Sequence, residues 1–331
     1  MNDLNPWGQR RDFLKAMAAV TGSLPLWAQA QSTWPTKPVN LIVPFPAGGG
    51  TDAFARPMSA QFAKLTGRQL IIDNRGGAGG TLGAGIAAKA APDGYNLFMG
   101  AVHHTIAPSM YPRLDYDLER DLVPLIQVAS VPQVLVVNPK KVQAADFKAF
   151  LDFVKKNPGR LNYGSAGGGT SHHLAGELFK LQTQTFITHI PYRGAAAGIT
   201  AVLAGEVDMM FDNLPSAIGQ IQAGAVRALA VTTTQRSKAL PEVPTLAEAG
   251  VPEFDVSAWF GFAAPAGLPP AVLTRLEQAL EKVSKVPEIA TAMQRQGAEP
   301  AYLDSKAMAT FMTGDATKWK RVAAYAKITL D

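Results

Sequence analysis

The chain has 331 residues and a net charge of +5, with 47% of its residues hydrophobic and 17% charged, which is ordinary for a globular protein large enough for two domains. It contains no cysteine, so disulfide bonds, thiolate metal sites, thiol nucleophiles and lipid attachment through cysteine are excluded. No dense run of Lys and Arg is interleaved with aromatic residues, so we expect no nucleic-acid partner.

The first 30 residues are predicted to be an export signal that is cleaved after Ala30. Arg10-Arg11, followed by Phe13-Leu14-Lys15, resembles a twin-arginine export motif, and Ala28-Gln29-Ala30 is a small-x-small cleavage site. A general secretory signal that contains two arginines is the alternative. The apolar stretch between these motifs is too short for a membrane anchor. Both routes predict a periplasmic protein that is not inserted in the membrane.

Strands and helices alternate in the region that follows. We predict a strand at Asn40–Phe45, a helix at Asp52–Leu65, a strand at Gln69–Asp73, a helix that opens at Gly76–Gly80 and a strand at Asn96–Gly100. This β-α-β-α-β order predicts a parallel sheet.

The next segments lead out of this first lobe. We predict a loop at His103–Pro112 and two further strands, at Leu122–Ala129 and Val134–Val137. The predicted helices of the remaining chain are Asp146–Asn157 with Asp146 as N-cap, Ser171–Thr183, Ala195–Gly205, Pro215–Ala223, Pro270–Lys282, Glu288–Gln296 and Ser305–Ala326. The predicted strands are Leu161–Gly164, Phe186–Ile190, Asp208–Asp212, Val226–Val231 and Val256–Ala263.

The order of these elements predicts two lobes. Lobe 1 comprises residues 31–133 plus 257–331, and lobe 2 comprises residues 134–256, because the strand Val256–Ala263 can run back toward lobe 1. Two chain segments then cross between the lobes and act together as a hinge. The fold class is therefore α/β, with two sheets rich in parallel strands that are joined by two strands.

A repeated pentapeptide supports this division. The sequence Ala-Gly-Gly-Gly-Thr occurs at Ala47–Thr51 and again at Ala166–Thr170, and each copy follows a strand and precedes a helix. A second pair, Arg75–Gly80 and Arg193–Gly198, follows in nearly the same register. Glycine-rich turns at helix N-termini expose backbone N–H groups that bind anions. Two such loops on opposite sides of a cleft would clamp a small carboxylate or phosphate.

Motifs along the whole chain after the signal are similar to those of the Bug family, the extracytoplasmic solute-binding proteins of tripartite tricarboxylate transporters. The matching motifs are Val43–Gly49 with Asp52, Asn74–Gly80, Ala91–Tyr95, Asn157–Gly159, Tyr163–Gly167, His173–Glu177, Pro191–Gly194, Arg227–Val231, Leu240–Thr245 and Ala264–Gly267. The resemblance implies a two-lobed periplasmic-binding-protein (Venus flytrap) fold, a small carboxylate ligand in the cleft, and the membrane subunits of such a transporter as partner. We expect a monomer without enzymatic activity.

The residues predicted to bind ligand lie on the two loops and at nearby strand ends. They are Phe45, Pro46, Ala47, Gly48, Gly49, Asp52, His103, Ser165, Gly167, Gly168, Thr170, His173, Tyr192 and Asp212.

Several of these residues have a structural role as the alternative to ligand binding. Asp52 is expected mainly to cap its helix and to order the loop. His173 can equally be a packed or capping residue, and Asp212 can cap the helix that starts near Pro215. Tyr192 and Phe45 either form part of the cleft wall or are aromatic residues of the core.

Two functions other than that of a transport receptor fit parts of the sequence. Gly48-x-Gly50-x-x-Ala53 with Asp73 fits a dinucleotide-binding fingerprint, which would indicate an exported oxidoreductase. A ligand-binding partner of a sensor would use the same cleft as a transport receptor. The pairs His103-His104 and His172-His173 suggest zinc, but the sequence contains no HExxH motif. We therefore predict neither a metal nor a cofactor.

Overall fold

The computed structural model of the protein describes residues 34–295, 297–326 and 328, and from Pro35 onward these belong to one compact unit. The predicted export signal lies outside the described residues. Within them, no helix has both the length and the apolar character that crossing a bilayer requires.

The described strands are β1 (Val39–Val43), β2 (Leu70–Asn74), β3 (Asn96–Ala101), β4 (Leu122–Val137), β5 (Asn162–Ser165), β6 (Thr188–Pro191), β7 (Met209–Asn213), β8 (Arg227–Val231), β9 (Ser257–Pro265) and β10 (Glu299–Leu303). The described helices are α1 (Gly50–Thr66), α2 (Thr81–Ala88), α3 (His103–Met110), α4 (Leu118–Asp121), α5 (Phe147–Lys156), α6 (Ser171–Thr183), α7 (Ala195–Ala204), α8 (Leu214–Gln222), α9 (Pro270–Ser284), α10 (Pro287–Arg295) and α11 (Ser305–Ala326).

These strands form one mixed sheet in the order β2-β1-β3-β9-β4-β7-β5-β6, with β8 and β10 also paired to β4. As predicted, β1 pairs in parallel with β2 and β3. In the second half of the sheet, β5 pairs in parallel with β6 and β7. Connecting helices place the carboxyl ends of these parallel strands, and the helix starts that follow them, at one edge of each half.

Strand β4 belongs to both halves of the sheet. Its first part pairs with β9 and β10, and its last part pairs with β7 and β8. The prediction of two separate strands at Leu122–Ala129 and Val134–Val137 is therefore wrong. Pro132 reads as a strand break in the sequence, but it stands opposite Ser257 of β9, and the pairing continues on both sides of it.

The predicted loop at His103–Pro112 is also wrong, because His103–Met110 form the helix α3. Pro108 lies inside it, and the local sequence disfavours a helix there. The helix is held by burial: Ile106 and Ala107 are almost fully buried, and α3 packs against α11. Two other short elements were not predicted from the sequence: α4, whose N-cap is Asp117, and the edge strand β10.

The C-terminal helices cover the first half of the sheet. Helices α9 and α10 pack against α1, and α11 packs against α3 and β4 and also reaches α6. The Asp315 carboxylate of α11 accepts hydrogen bonds from the hydroxyl of Thr105 (2.6 Å) and from the indole N–H of Trp259 (2.9 Å). This buried carboxylate links α11 to α3 and β9.

We expect Asp315→Ala to lower the free energy of unfolding by about 2–4 kcal/mol, since Thr105 and Trp259 are buried and lose their shared acceptor. Urea denaturation followed by circular dichroism measures the change. Lys320→Ala, an exposed position on the same helix, is the control and should change stability by less than about 0.5 kcal/mol. Equal stability of the two variants would contradict the assigned role of Asp315.

Candidate functional site

A cleft opens between the two halves of the sheet. It holds about 490 Å³ of space between protein atoms, part of it continuous with solvent. The lining residues are Phe45, Pro46, Gly49, Gly50, Thr51, Ala101, Val102, His103, Ala166, Thr170, Ser171, His172, Arg193, Gly194, Ala195, Ala196, Asn213, Ala258 and Phe260.

Most of the lining residues stand at the beginning of a helix. They are Gly49–Thr51 at the start of α1, Val102–His103 at α3, Thr170–His172 at α6, Gly194–Ala196 at α7 and Asn213 at α8. Apolar groups of β3, β9 and the loop after β1 form the rest of the wall.

The N-cap residues of these five helices make no side-chain hydrogen bond to the first turn. Helix α5, which does not line the cleft, differs, because the Asp146 carboxylate accepts from the Ala149 amide at 2.8 Å, as the sequence predicts. First-turn amides have no partner within their own helix and carry the positive end of the helix dipole. Five such ends on one cleft make it a site for an anion.

The two pentapeptide loops are not equivalent in three dimensions. Both have positive φ at the first glycine, 84° at Gly48 and 131° at Gly167. Helix α1 begins at Gly50, but Gly169, its counterpart, has φ 75°, and α6 begins two residues later at Ser171. The second loop is therefore displaced relative to its helix, and the cleft is lined by Gly49 from the first copy but not by Gly168.

The first loop brings Phe45, Pro46 and Gly49 to the cleft, whereas Ala47 and Gly48 are exposed and do not line it. Asp52 does not line it either. The Asp52 carboxylate accepts hydrogen bonds from the Gly48 amide (3.0 Å), the Arg56 guanidinium (2.7 Å) and the Asn74 amide group (3.2 Å).

Burial of the Asp52 carboxyl raises its pKa, but the hydrogen bonds from Arg56, Gly48 and Asn74 outweigh burial, so the pKa lies below its ordinary value. Asn74 also donates to the Phe45 carbonyl at 2.8 Å. Asp52 thus holds the first loop in shape, which is the structural role favoured by the sequence.

The second loop is held by its own side chains. The Ser165 hydroxyl donates to the Gly167 carbonyl and accepts from the Gly167 amide, both at 3.1 Å. The Thr170 hydroxyl donates to the same carbonyl at 2.8 Å. Of these three predicted residues only Thr170 lines the cleft, and Ser165 and Gly167 shape the loop beneath it.

Adjacent histidines on α6 point in different directions, as expected for neighbouring helical residues. His172 lines the cleft, whereas His173, the residue selected from the sequence, does not. The His173 ring stacks on His189 with 3.9 Å between ring centroids, and its Nδ1 accepts from the Gly169 amide at 3.2 Å. Burial lowers the pKa of His173 to about 4, so this ring is a neutral packed group.

His103 lines the cleft, as predicted, but from the first residue of a helix rather than from a loop. Its ring contacts Phe45 edge-on at 4.5 Å between centroids. Burial, with smaller contributions from His104 and His172, holds the pKa of His103 well below its ordinary value. His103 is therefore a neutral hydrogen-bonding group at neutral pH.

The two remaining predicted residues lie behind the cleft surface. Asp212 is fully buried at the end of β7, and its Oδ1 lies 3.2 Å from the Nε2 of His172. It does not cap the following helix, because Asn213 is the N-cap residue of α8. Tyr192 does not line the cleft, and its amide donates to the Ser165 carbonyl at 3.1 Å.

The two arginines of the second repeat have different surroundings. Arg75 forms an ion pair with Asp73 at 2.9 Å and does not line the cleft. Arg193 lines it, is exposed, and its guanidinium makes no ion pair or hydrogen bond with any other residue that the structure describes. Asp73, the acidic residue of the dinucleotide fingerprint, is thus engaged by Arg75 away from the cleft.

The halves of the molecule touch at the edge of the cleft. The Tyr111 hydroxyl donates to the Gly168 carbonyl at 3.0 Å. Gly79, at φ 62°, has no room for a side chain, because a Cβ there would lie 2.4 Å from the same carbonyl oxygen. Within the described part of the chain, no cluster of three or more His, Asp or Glu side chains could hold a metal ion.

Comparisons with known proteins agree on one family. The family model "Tripartite tricarboxylate transporter family receptor" matches residues 54–328. The protein BugT of Bordetella pertussis is 36% identical over 293 residues, which cover 88% of this chain and 89% of BugT.

Two solved structures share the fold. The periplasmic binding protein BugD superimposes with a TM-score of 0.86 at 31% identity, covering 90% of this chain and all of BugD. The R. palustris protein Rpa4515, solved with adipate, has a TM-score of 0.85 at 34% identity, with coverage of 90% and 100%. The two-lobed binding-protein fold expected from the sequence is thereby confirmed, and the chain belongs to the family of tripartite tricarboxylate transporter receptors that includes the Bug proteins.

Proposed function

We propose that this protein is a periplasmic receptor that captures a small carboxylate in the cleft and delivers it to the membrane subunits of a tripartite tricarboxylate transporter. The observation that carries the proposal is the convergence of five uncapped helix starts on one cleft. Unpaired amides and helix dipoles select a negative charge and do not depend on the rest of the ligand.

The residues that line the cleft support a small anion as its ligand. Arg193 is the cationic side chain that lines it, and a guanidinium binds a carboxylate with two parallel hydrogen bonds. Apolar groups, including Phe45 and Phe260, form other parts of the lining and suit a carbon chain. A relative of the same fold was solved with adipate, a dicarboxylate.

The proposal includes two lobes that close on the ligand. Lobe 1 comprises residues 31–133 plus 257–331, and lobe 2 comprises residues 134–256. The contact of Tyr111 and Gly79 with Gly168 is the point where the lobes meet in the closed form. Closure buries the anion among the helix starts, where the lower dielectric strengthens each of its hydrogen bonds.

A carboxylate panel tests the function. The protein is unfolded and refolded to remove bound ligand, and mono-, di- and tricarboxylates are compared by thermal shift. A true ligand at about 100 times its Kd adds about 2.7 kcal/mol of stability, which raises Tm by several degrees. Methyl esters of the same acids, which lack the charge, are the matched control. A panel in which acids and esters behave alike would rule the proposal out, and stabilisation by NAD would favour the oxidoreductase alternative.

The two arginines provide a matched pair of variants. We expect Arg193→Gln to weaken carboxylate binding about three- to tenfold, a modest factor because the side chain is exposed. Arg75→Gln should leave affinity unchanged, since Arg75 is paired with Asp73 outside the cleft. Calorimetric titration of both variants measures the difference. Equal affinities would show that Arg193 does not contact the ligand.

Export is proposed to depend on Arg10-Arg11, with the mature chain beginning at Gln31. Replacing Arg10→Lys together with Arg11→Lys should leave the precursor in the cytoplasm if the twin-arginine route is used. Cell fractionation and N-terminal sequencing give the location and the cleavage point. Normal export of the double variant would instead show that the general secretory route suffices.

A further inference from the structure

The proposed function does not use one pair of buried side chains at the cleft. His172, the second residue of α6, lines the cleft and is 5% exposed. Its Nε2 lies 3.2 Å from Oδ1 of Asp212, which has no exposed surface. The carboxylate is therefore the neighbour that decides how the imidazole is oriented.

This neighbour also decides which ring nitrogen carries the hydrogen. Oδ1 of Asp212 is a carboxylate oxygen, which accepts hydrogen bonds, so Nε2 of His172 is the donor in this contact. In the neutral ring the other nitrogen, Nδ1, is then an acceptor. Nδ1 is buried and has no hydrogen-bond partner among the described residues. A buried acceptor without a donor is unfavourable, and a donor that enters the cleft removes this penalty.

Further unpaired acceptors lie near this pair, behind the residues that line the cleft. Oδ2 of Asp212 and Oε1 of Gln133 are also buried without a partner among the described residues. The Gln133 side-chain amide is oriented by donating to the Ser171 hydroxyl (2.8 Å) and to Oδ1 of Asn213 (3.2 Å), and both of these residues line the cleft. Across the cleft, His103 adds a neutral imidazole whose Nε2 is likewise unpartnered among the described residues.

The cleft thus offers two kinds of partner. The helix starts supply N–H donors, which a carboxylate satisfies. Nδ1 of His172 supplies an acceptor, and an ionised carboxylate of the ligand has no hydrogen to give it. A ligand that carries only carboxylates would therefore leave the His172 side unpaired.

We infer that the ligand is a carboxylate that also carries a hydrogen-bond donor, a hydroxyl or an ammonium group, and that Nδ1 of His172 accepts from this donor. Asp212 is a positioning residue, because it holds His172 in the tautomer that accepts. The inference rests on the proposed function, which places the carboxylate in the same cleft.

Calorimetric titration of the ligand-stripped protein with four matched dicarboxylates tests it. Succinate has no donor, malate adds a hydroxyl, aspartate adds an ammonium group, and methylsuccinate adds bulk of similar size without a donor. We expect malate, aspartate or both to bind at least about fivefold more tightly than succinate, and methylsuccinate to bind no more tightly. The malate and aspartate arms distinguish a hydroxyl from an ammonium donor.

Variants of His172 assign the preference to its nitrogen. His172→Phe keeps a ring without an acceptor, and we expect the ratio of succinate to malate or aspartate Kd to fall to about one. His172→Asn keeps a side-chain acceptor on a short stem and should retain part of the preference. Asp212→Asn, whose amide can donate to His172, should reduce the same ratio by releasing the tautomer. Circular dichroism checks that each variant is folded.

The outcomes separate this inference from the function on which it rests. Equal affinities for succinate, malate and aspartate in the unmodified protein overturn the inference and leave the carboxylate receptor standing. A preference that persists in folded His172→Phe overturns it equally. Failure of these four acids while another acid of the panel binds overturns the inference alone, and failure of the whole carboxylate panel overturns both.

Discussion

The cleft is governed by the backbone amide groups at the starts of five helices. Helices α1, α3, α6, α7 and α8 all begin there, and none has a capping side chain at its N-cap. Buried N–H groups must find an acceptor, so such a surface cannot be closed by apolar packing alone. Small residues at these positions, such as Gly49, Gly194 and Ala195, leave the amides within reach of a bound anion.

Other polar groups near the cleft keep this surface in place. Asp52 binds the first loop through Gly48 and ties it to Arg56 and Asn74. Ser165 and Thr170 do the same for the second loop through Gly167. Of these side chains only Thr170 lines the cleft, so the shape of the cleft is held largely by residues behind its surface.

Much of the architecture follows from local signals. Strands of apolar residues separated by Gly- and Pro-containing turns predict the alternating elements, and the cap residue Asp146 predicts the start of its helix correctly. Helix α3 was missed because its stability comes from α11, which lies some two hundred residues further along the chain. The unbroken course of β4 through Pro132 likewise depends on distant partners, which are β9 up to Pro132 and β7 and β8 after it.

The site was predictable in outline only. The repeat located both loops, and Phe45, Pro46, Gly49, His103 and Thr170 line the cleft as the sequence suggested. The repeat alone could not show that α6 starts two residues later than α1, when both helices are counted from their own copy of the pentapeptide. The structure turns His172 rather than His173 to the cleft, and Arg193 and Arg75, which are equivalent in the repeat, have different surroundings. Asn213 had no signal beyond its place at the end of a strand.

The continuity of β4 has a mechanical consequence. A strand that runs through both halves of the molecule has no flexible joint, and β9 is paired with it at the crossing, where Val131 faces Ala258. Any opening of the cleft must then be taken up as a change of twist spread over several residues of two bonded strands. The paired strands resist this change of twist, so they favour one relative orientation of the two halves and limit how far apart the halves can move.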